Sequence, residues 1–387
     1  MARITYFTLI FFMLKEIKGG DPFEDTLSTR FECYGMEQPG CTTDFIDARP
    51  KLAMSHNNMT KATTHIYLFT PNNVETPELF HKCPDAVPPK TLFNPKCRTD
   101  ILIPGFVSGI CNFAVFREIK NEMLKKGCYN MLLIDWMWGN TFDPQDTFYN
   151  AKHVAKQVAA VIDILKEKFN LTHKDFSCTG HSYGAHLCGY LGQETHISII
   201  NALDANGVLL TQFTPLDDRL DPGDADCVQA IHTNDGQCLP FLGINYTIGT
   251  VDIYFNGGKI QEASIETTKN AFLKGDFVFG INSIFTGSHL QALEYYKASI
   301  NADECKFIAV KCRNYGYFKK GRCASCGKKG QNCILVGPDF CDCVSPSFLN
   351  RKRTRKYYLD TDDHCPYCNN SKVDISGYHC ETKYTSV

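Results

Sequence analysis

This 387-residue chain has no apolar run long enough to span a bilayer, which takes about 20 residues: the one at its start ends at Lys15-Glu16, and no later stretch is apolar enough. It has little net charge: 40 Lys and Arg against 42 Asp and Glu leave −2. That balance gives no reason to expect a nucleic-acid partner. No segment repeats at a fixed period, so the stacked-repeat architectures are excluded. Hydrophobic residues at 43% and charged residues at 21% are ordinary for a globular chain. The length allows one large domain or two moderate ones, with an ample core.

The chain is rich in cysteine, with twenty. Residues 1–20 have the layout of a secretory signal: Arg3, then an apolar run from Ile4 to Leu14, then small residues Gly19-Gly20. Twenty cysteines in an exported chain imply disulfides, and the odd spacings around Cys323/Cys326 and Cys365/Cys368 favour bridges over zinc. Asn58, Asn170, Asn245 and Asn369 stand in Asn-x-Ser/Thr sequons, which fits a secreted, extracellular glycoprotein.

Apolar patterning predicts alternating strands and helices. Thr64 to Phe69, Ile101 to Ile103, Met131 to Ile134, Ile197 to Ala202, Val228 to His232 and Val251 to Phe255 read as strands. Residues 21–60 and 71–98 read as irregular. Phe113 to Lys126 has helical spacing, and Ala151 to Phe169 has it most clearly, through Val154, Val158, Ile162, Leu165 and Phe169. The alternation predicts an α/β fold, a mainly parallel sheet with helices on both faces. From about Cys305 the cysteines crowd together, and a basic run follows from Arg351 to Lys356. We divide the chain into a signal at 1–20, a catalytic-type domain at 21–340 and a Cys-rich tail at 341–387.

The centre of this pattern is Gly180-His181-Ser182-Tyr183-Gly184, a Gly-x-Ser-x-Gly between a β-prone run and a small-residue helix. In such an elbow the serine sits on a strained turn at a helix N-terminus. A serine hydroxyl needs a base to take its proton and a carboxylate to orient that base, and in this fold class the chain order is serine, acid, histidine. Asp204 closes the next strand, on the same sheet edge. Four histidines follow it, His232, His289, His364 and His379. Spacing favours His289, at a loop–helix junction, while His232 at a strand end reads as structural. The oxyanion requires two backbone N–H donors, expected from Tyr183 and from the turn Pro104-Gly105-Phe106, where the donor is Phe106.

The chain resembles the pancreatic lipase family of secreted α/β-hydrolases from about Cys33 onward. The resemblance rests on Ile134-Asp135-Trp136, Gly180 to His186, Leu203-Asp204, Arg219 to Asp226, Ile231-His232-Thr233, Asn256-Gly257-Gly258 and Ser288-His289. It implies a lipase with Ser182 as nucleophile, Asp204 as orienting acid and His289 as general base, and no cofactor for the chemistry. It also implies a structural Ca²⁺ held by Asp221 and Asp224 with carbonyls near Leu216 and Arg219. Disulfides Cys33–Cys41, Cys312–Cys323 and Cys326–Cys333 transfer from it, with Cys111–Cys128 as a weaker match. Cys178 and Cys188 are expected to be free thiols in the core.

Three features depart from the family. Pro104 replaces the usual His before Gly-Phe. The cysteines that would close the lid are Ser264 and Gly287. The chain stops near residues 357–361, about where a β-sandwich lipid-binding domain would begin, so no colipase partnership is expected. The lid itself, residues 265–286, is strongly apolar through Phe272, Leu273, Phe277, Phe279 and Ile284. Such a surface can cover the site in water and turn toward a lipid interface, or simply pack in the core. Its length implies neutral glycerides over phospholipids, with sn-1 phospholipase action and silent lipid binding as the alternatives. The basic run Arg351–Lys356 is either a solvated loop or a patch for sulfated glycan.

Overall fold

A computed structural model of the chain describes residues 64–80, 87–106, 114–136, 144–236, 242–302, 305–349 and 355–380. The signal, Asn58, Cys111 and the Cys33–Cys41 pair lie outside them. The strands are β1 His65–Phe69, β2 Glu78–Phe80, β3 Arg98–Ile103, β4 Tyr129–Asp135, β5 Phe176–His181, β6 Ile197–Leu203, β7 Ala225–His232, β8 Val251–Phe255, β9 Ile308–Lys311, β10 Cys333–Leu335, β11 Arg355–Thr361 and β12 Cys368–Asn369. They join one sheet in the order β10-β9-β11-β8-β7-β6-β5-β3-β4-β1-β2, with β12 on β11. From β11 to β4 every neighbouring pair is parallel.

The helices that matter to the site are α1 Ala114–Lys126, α2 Pro144–Phe169, α3 Tyr183–Thr195, α4 Glu262–Leu273 and α5 Phe277–Ile300. Alternate strand residues feed two cores. Ile101, Ile103, Ile200 and Ala202 pack with Val154, Val158 and Ile162 of α2 and Leu187 and Leu191 of α3. Leu102, Leu133, Leu203 and Ile231 pack with Phe116 and Ile119 of α1 and Leu293, Tyr295 and Tyr296 of α5. The period-2 alternation of strand side chains thus seats helices on both faces. This is an α/β-hydrolase arrangement.

Strand order reverses at β3. β4 lies on one side of β3 and β5 on the other, so the turns after β3 and β5 leave the C-terminal sheet edge at a topological switch point. Ligands of open α/β sheets bind at such switch points.

The Cys-rich segment is built into this sheet. β11 lies between β8 and β9, Cys227–Cys341 and Cys305–Cys368 tie the segment to the preceding chain, and Cys343–Cys380 closes it on itself. Residues 78–80 form β2 within a stretch expected to be irregular. Among the described residues, no helix is long and apolar enough to cross a membrane.

Candidate active site

Ser182 follows β5 and caps α3 with φ 57° and ψ −119°, a left-handed conformation that non-glycine residues rarely hold. Its flanking glycines are steric requirements. A Cβ on Gly180 would lie 2.2 Å from the Gly184 carbonyl oxygen, and one on Gly184 would lie 2.3 Å from the Ile103 carbonyl oxygen. The Ser182 N–H donates to the Leu203 carbonyl at 3.0 Å, which locks the turn to the end of β6.

Cys178 and Cys188 form a disulfide across this elbow. The expectation of free thiols is corrected: the strand–turn–helix reversal folds ten residues back on themselves and brings the two Cα atoms to 5.7 Å. Burial alone does not distinguish a thiol from a bridge. Cys128 pairs with Cys97, which corrects the Cys111–Cys128 assignment. Cys312–Cys323 and Cys326–Cys333 are bridged, and Cys365 is a free, exposed thiol.

Asp204 and His289 meet at the same edge. His289 Nδ1 donates to Asp204 Oδ2 at 2.6 Å, and both residues are buried. The other carboxylate oxygen accepts the N–H groups of Thr233 at 2.8 Å and Asn234 at 3.0 Å, just past the end of β7. Asp204 is itself left-handed, at φ 45°. These backbone donors were not anticipated from sequence, since they carry no side-chain signature.

His289 sits well inside α5 and not at a loop–helix junction. The apolar run from Phe277 onward contains no helix breaker strong enough to stop it, and Asp276 caps the start by accepting from the Phe279 N–H at 3.0 Å. Its ring lies against His181, the residue before Ser182, with centroids 4.6 Å apart. His181 Nε2 donates to the His289 carbonyl at 3.1 Å. Burial, with His289 alongside, pushes the His181 imidazole well below its usual range, so it is neutral and serves as a spacer.

His186 bridges the Asn206 carbonyl at 2.9 Å and the Leu220 N–H at 3.1 Å, and burial lowers its pKa to about 4. It ties α3 to the loop after Asp204 and to Leu220. His232 pairs with Asp252 at 2.9 Å and stacks on Tyr254, as a structural histidine would. His364 and His379 are exposed on the Cys-rich segment.

The turn after β3 presses on Ser182. A Cβ on Gly105 would lie 2.6 Å from Ser182 Cβ and 3.2 Å from its Oγ. Trp136 Nε1 donates to the Pro104 carbonyl at 3.0 Å, fixing this turn despite the proline. Phe106 comes next along it, and Tyr183 opens α3. The N-terminus of that 13-residue helix brings its positive dipole end to the same place.

The lid residues form a helical hairpin of α4 and α5 joined through Gly275 at φ 79°. Leu273, Phe277, Phe279, Ile281 and Ile284 are exposed, while Phe272 covers Gly280. Gly287 faces Ser264, with an added Cβ 3.0 Å from Ser264 Cβ. Ser264 Oγ bonds to Ser288 Oγ at 3.1 Å, so a polar contact stands where the family has its bridge. Ser182 is 5% and His289 4% exposed, so both are shielded from solvent.

The residues matched to Ca²⁺ hold one another. Asp224 accepts the Asp221 N–H and Gln193 Nε2, both at 2.9 Å, and Asp221 accepts the Gly223 N–H at 2.6 Å. Burial, with Asp221 and Asp217 nearby, still raises the Asp224 pKa to about 7. A buried carboxylate among acidic neighbours is a charge pattern that an oxygen-ligated divalent ion relieves, so the donor set fits. Within the basic run, Arg355 lies over the Phe348 ring at 3.8 Å and Lys356 over Tyr254 at 5.4 Å; residues 351–354 lie outside the described residues. Of the sequons, Asn170 and Asn245 are exposed, and Asn369 donates to Asp362 at 2.7 Å.

An elbow after a central parallel strand, with an Asp–His pair from later elements at the same edge, defines the class as α/β-hydrolase. The lipase family model matches residues 29–367, and the chain belongs to that family. It is 28% identical over 367 residues to inactive pancreatic lipase-related protein 1 of Mus musculus, covering 92% of this chain and 73% of that protein. It is 34% identical over 259 residues to pancreatic lipase-related protein 3 of Homo sapiens, covering 65% and 53%. Among solved structures, Est1E from Butyrivibrio proteoclasticus with ferulic acid matches at TM-score 0.27 and 16% identity over 53% of this chain and 81% of that one. One of these relatives is named inactive, so family membership does not by itself make the chain a catalyst.

Proposed function

We propose that this protein is a secreted serine ester hydrolase that cleaves acylglycerol esters through Ser182, His289 and Asp204. The observation that carries the reading is the 2.6 Å contact from His289 Nδ1 to a carboxylate already held by two backbone N–H groups. With Nδ1–H committed to Asp204, Nε2 is the lone-pair nitrogen, as a general base requires. Ser182 Oγ attacks the acyl carbonyl and its proton passes to His289 Nε2. The oxyanion is met by the N–H groups of Phe106 and Tyr183. His289 then protonates the departing glyceride oxygen, and water clears the acyl-enzyme by the same route.

The solvent-shielded Ser182 and His289 and the exposed apolar hairpin that leads into His289 support an acyl-ester substrate delivered from a lipid interface. Asp221 and Asp224 would hold a structural Ca²⁺, which supplies charge compensation to the loop after the acid and takes no part in the ester chemistry. The Arg351–Lys356 run is proposed as a sulfated-glycan contact, tested by loss of heparin retention on neutralising Arg351, Lys352 and Arg353. A second reading, silent lipid binding, is favoured by the inactive relative and by Pro104 in the oxyanion turn. Ser182→Ala separates the two. Loss of triglyceride and short-chain ester hydrolysis with secretion intact supports the enzyme, and unchanged turnover refutes it.

A further inference from the structure

The end of the sheet away from Ser182 carries three side chains that the ester chemistry does not use. His173 lies in the single 3-10 turn His173–Asp175 that leads into β5, His196 joins α3 to β6, and Asp226 is the second residue of β7. β5, β6 and β7 are adjacent and parallel, so their starts lie side by side. β5 alone separates this edge from Ser182 by roughly 17 Å.

The geometry is specific. His173 Nε2 is 3.2 Å from Asp226 Oδ2, and His196 Nε2 is 3.5 Å from Asp226 Oδ1. One ligand atom from each of the three residues lies within 4.8 Å of the others. The imidazole centroids are 4.7 Å apart, with planes at 48°. Metal–ligand bonds of about 2.0–2.1 Å at the tetrahedral angle put neighbouring ligand atoms about 3.3 Å apart. The two His–Asp distances lie near that value but engage different carboxylate oxygens, so Asp226 would meet an ion through both oxygens or turn to present one.

The backbone holds these side chains ready. Thr172 and Asp175 close a capping box around the turn that bears His173. His196 is held at φ 47°, where its N–H donates to the Gly192 carbonyl at 3.0 Å and its carbonyl accepts from Lys166 Nζ at 3.1 Å. A non-glycine residue in that conformation stays there because its surroundings fix it.

We propose that His173, His196 and Asp226 form a transition-metal site of the zinc class. Two imidazoles and one carboxylate suit Zn²⁺ and poorly suit Ca²⁺ or Mg²⁺, which take oxygen ligands. Three protein ligands leave a fourth position for water. The ion ties together the entries to β5, β6 and β7 and so has a structural role, remote from the nucleophile.

The test uses the full-length secreted protein. Zn²⁺ is titrated by calorimetry, and Co²⁺ serves as a probe whose visible absorption reports its coordination. The expected result is one saturable ion with a tetrahedral-type Co²⁺ band. The variants are His173→Gln, His196→Asn, chosen because Asn tolerates positive φ, and Asp226→Asn. Each should weaken Zn²⁺ binding about tenfold or more while keeping the metal-free melting curve of a folded protein. Cys365→Ser, which removes the exposed thiol, should leave binding unchanged. The proposal is overturned if the parent protein shows no saturable ion, if the three variants bind as it does, or if binding disappears with Cys365→Ser.

Discussion

Gly105→Ala tests how closely the turn after β3 is fitted to the nucleophile. The added methyl would meet Ser182 Cβ at 2.6 Å, the His181 carbonyl oxygen at 3.0 Å and Ser182 Oγ at 3.2 Å. Carbon atoms in contact normally sit about 3.5–4.0 Å apart, so one side must retreat by about 1 Å. Ser182 cannot easily yield. Its N–H is bonded to Leu203, its elbow is wedged by Gly180 and Gly184 against neighbouring backbone, and Cys178–Cys188 clamps strand to helix. The displacement therefore falls on residues 104–106 and carries the Phe106 N–H away from the oxyanion. A shift of about 1 Å at a reacting group costs about 10²-fold, and losing one oxyanion donor costs about 10²–10³-fold. We expect kcat to fall by that factor, about 3–4 kcal/mol, with KM little changed. Overpacking should cost about 1–3 kcal/mol of stability. The assay is turnover of a soluble short-chain ester, normalised to active sites by fluorophosphonate titration. A folded variant with undiminished kcat would refute the placement of the oxyanion donor.

The Cys178→Ala/Cys188→Ala variant loses a bridge closing a ten-residue separation. Chain entropy predicts a loss of about 3 kcal/mol, read by urea unfolding without reductant, and an unchanged midpoint would contradict a stabilising role for the bridge. Asp100 is buried under Ser177 and Thr179, and burial raises its pKa to about 6 from 3.8. Because the folded value is the higher one, the stability it contributes is fully present below about pH 4 and lost as pH rises through 6. The cost is about 3 kcal/mol. Asp100→Asn should therefore flatten the melting temperature between pH 4 and pH 8, and an unaltered slope would count against that carboxyl. Leu273→Ser with Phe277→Ser should slow hydrolysis of emulsified triglyceride and spare soluble esters; equal loss on both would mean that the lid surface does not meet lipid.

Much of the scaffold was legible because the central strands are continuous apolar runs and α2 repeats its apolar positions at helical spacing. The elbow was legible because three close backbone approaches demand glycine or a strained serine, and those demands are written in consecutive residues. What escaped has no local signature. The N–H groups of Thr233 and Asn234 hold Asp204 through the backbone, whatever their side chains. The start of α5 was hidden because Gly280 and Gly287 resemble interruptions, yet both serve close packing, against Phe272 and Ser264. Cys178 and Cys188 looked like core thiols because their meeting depends on the reversal at the elbow. β11 was obscured because its first two residues, Arg355 and Lys356, belong to the basic run, which carries no strand pattern of its own.

The most direct measurement is reaction of the purified protein with a fluorophosphonate, followed by mass-spectrometric mapping of the adduct. An activated serine backed by a histidine and a buried carboxylate predicts one adduct per chain, on Ser182, with labelling sharply slowed in His289→Ala. No adduct, an adduct on another serine, or equal labelling in the His289→Ala variant would contradict the account.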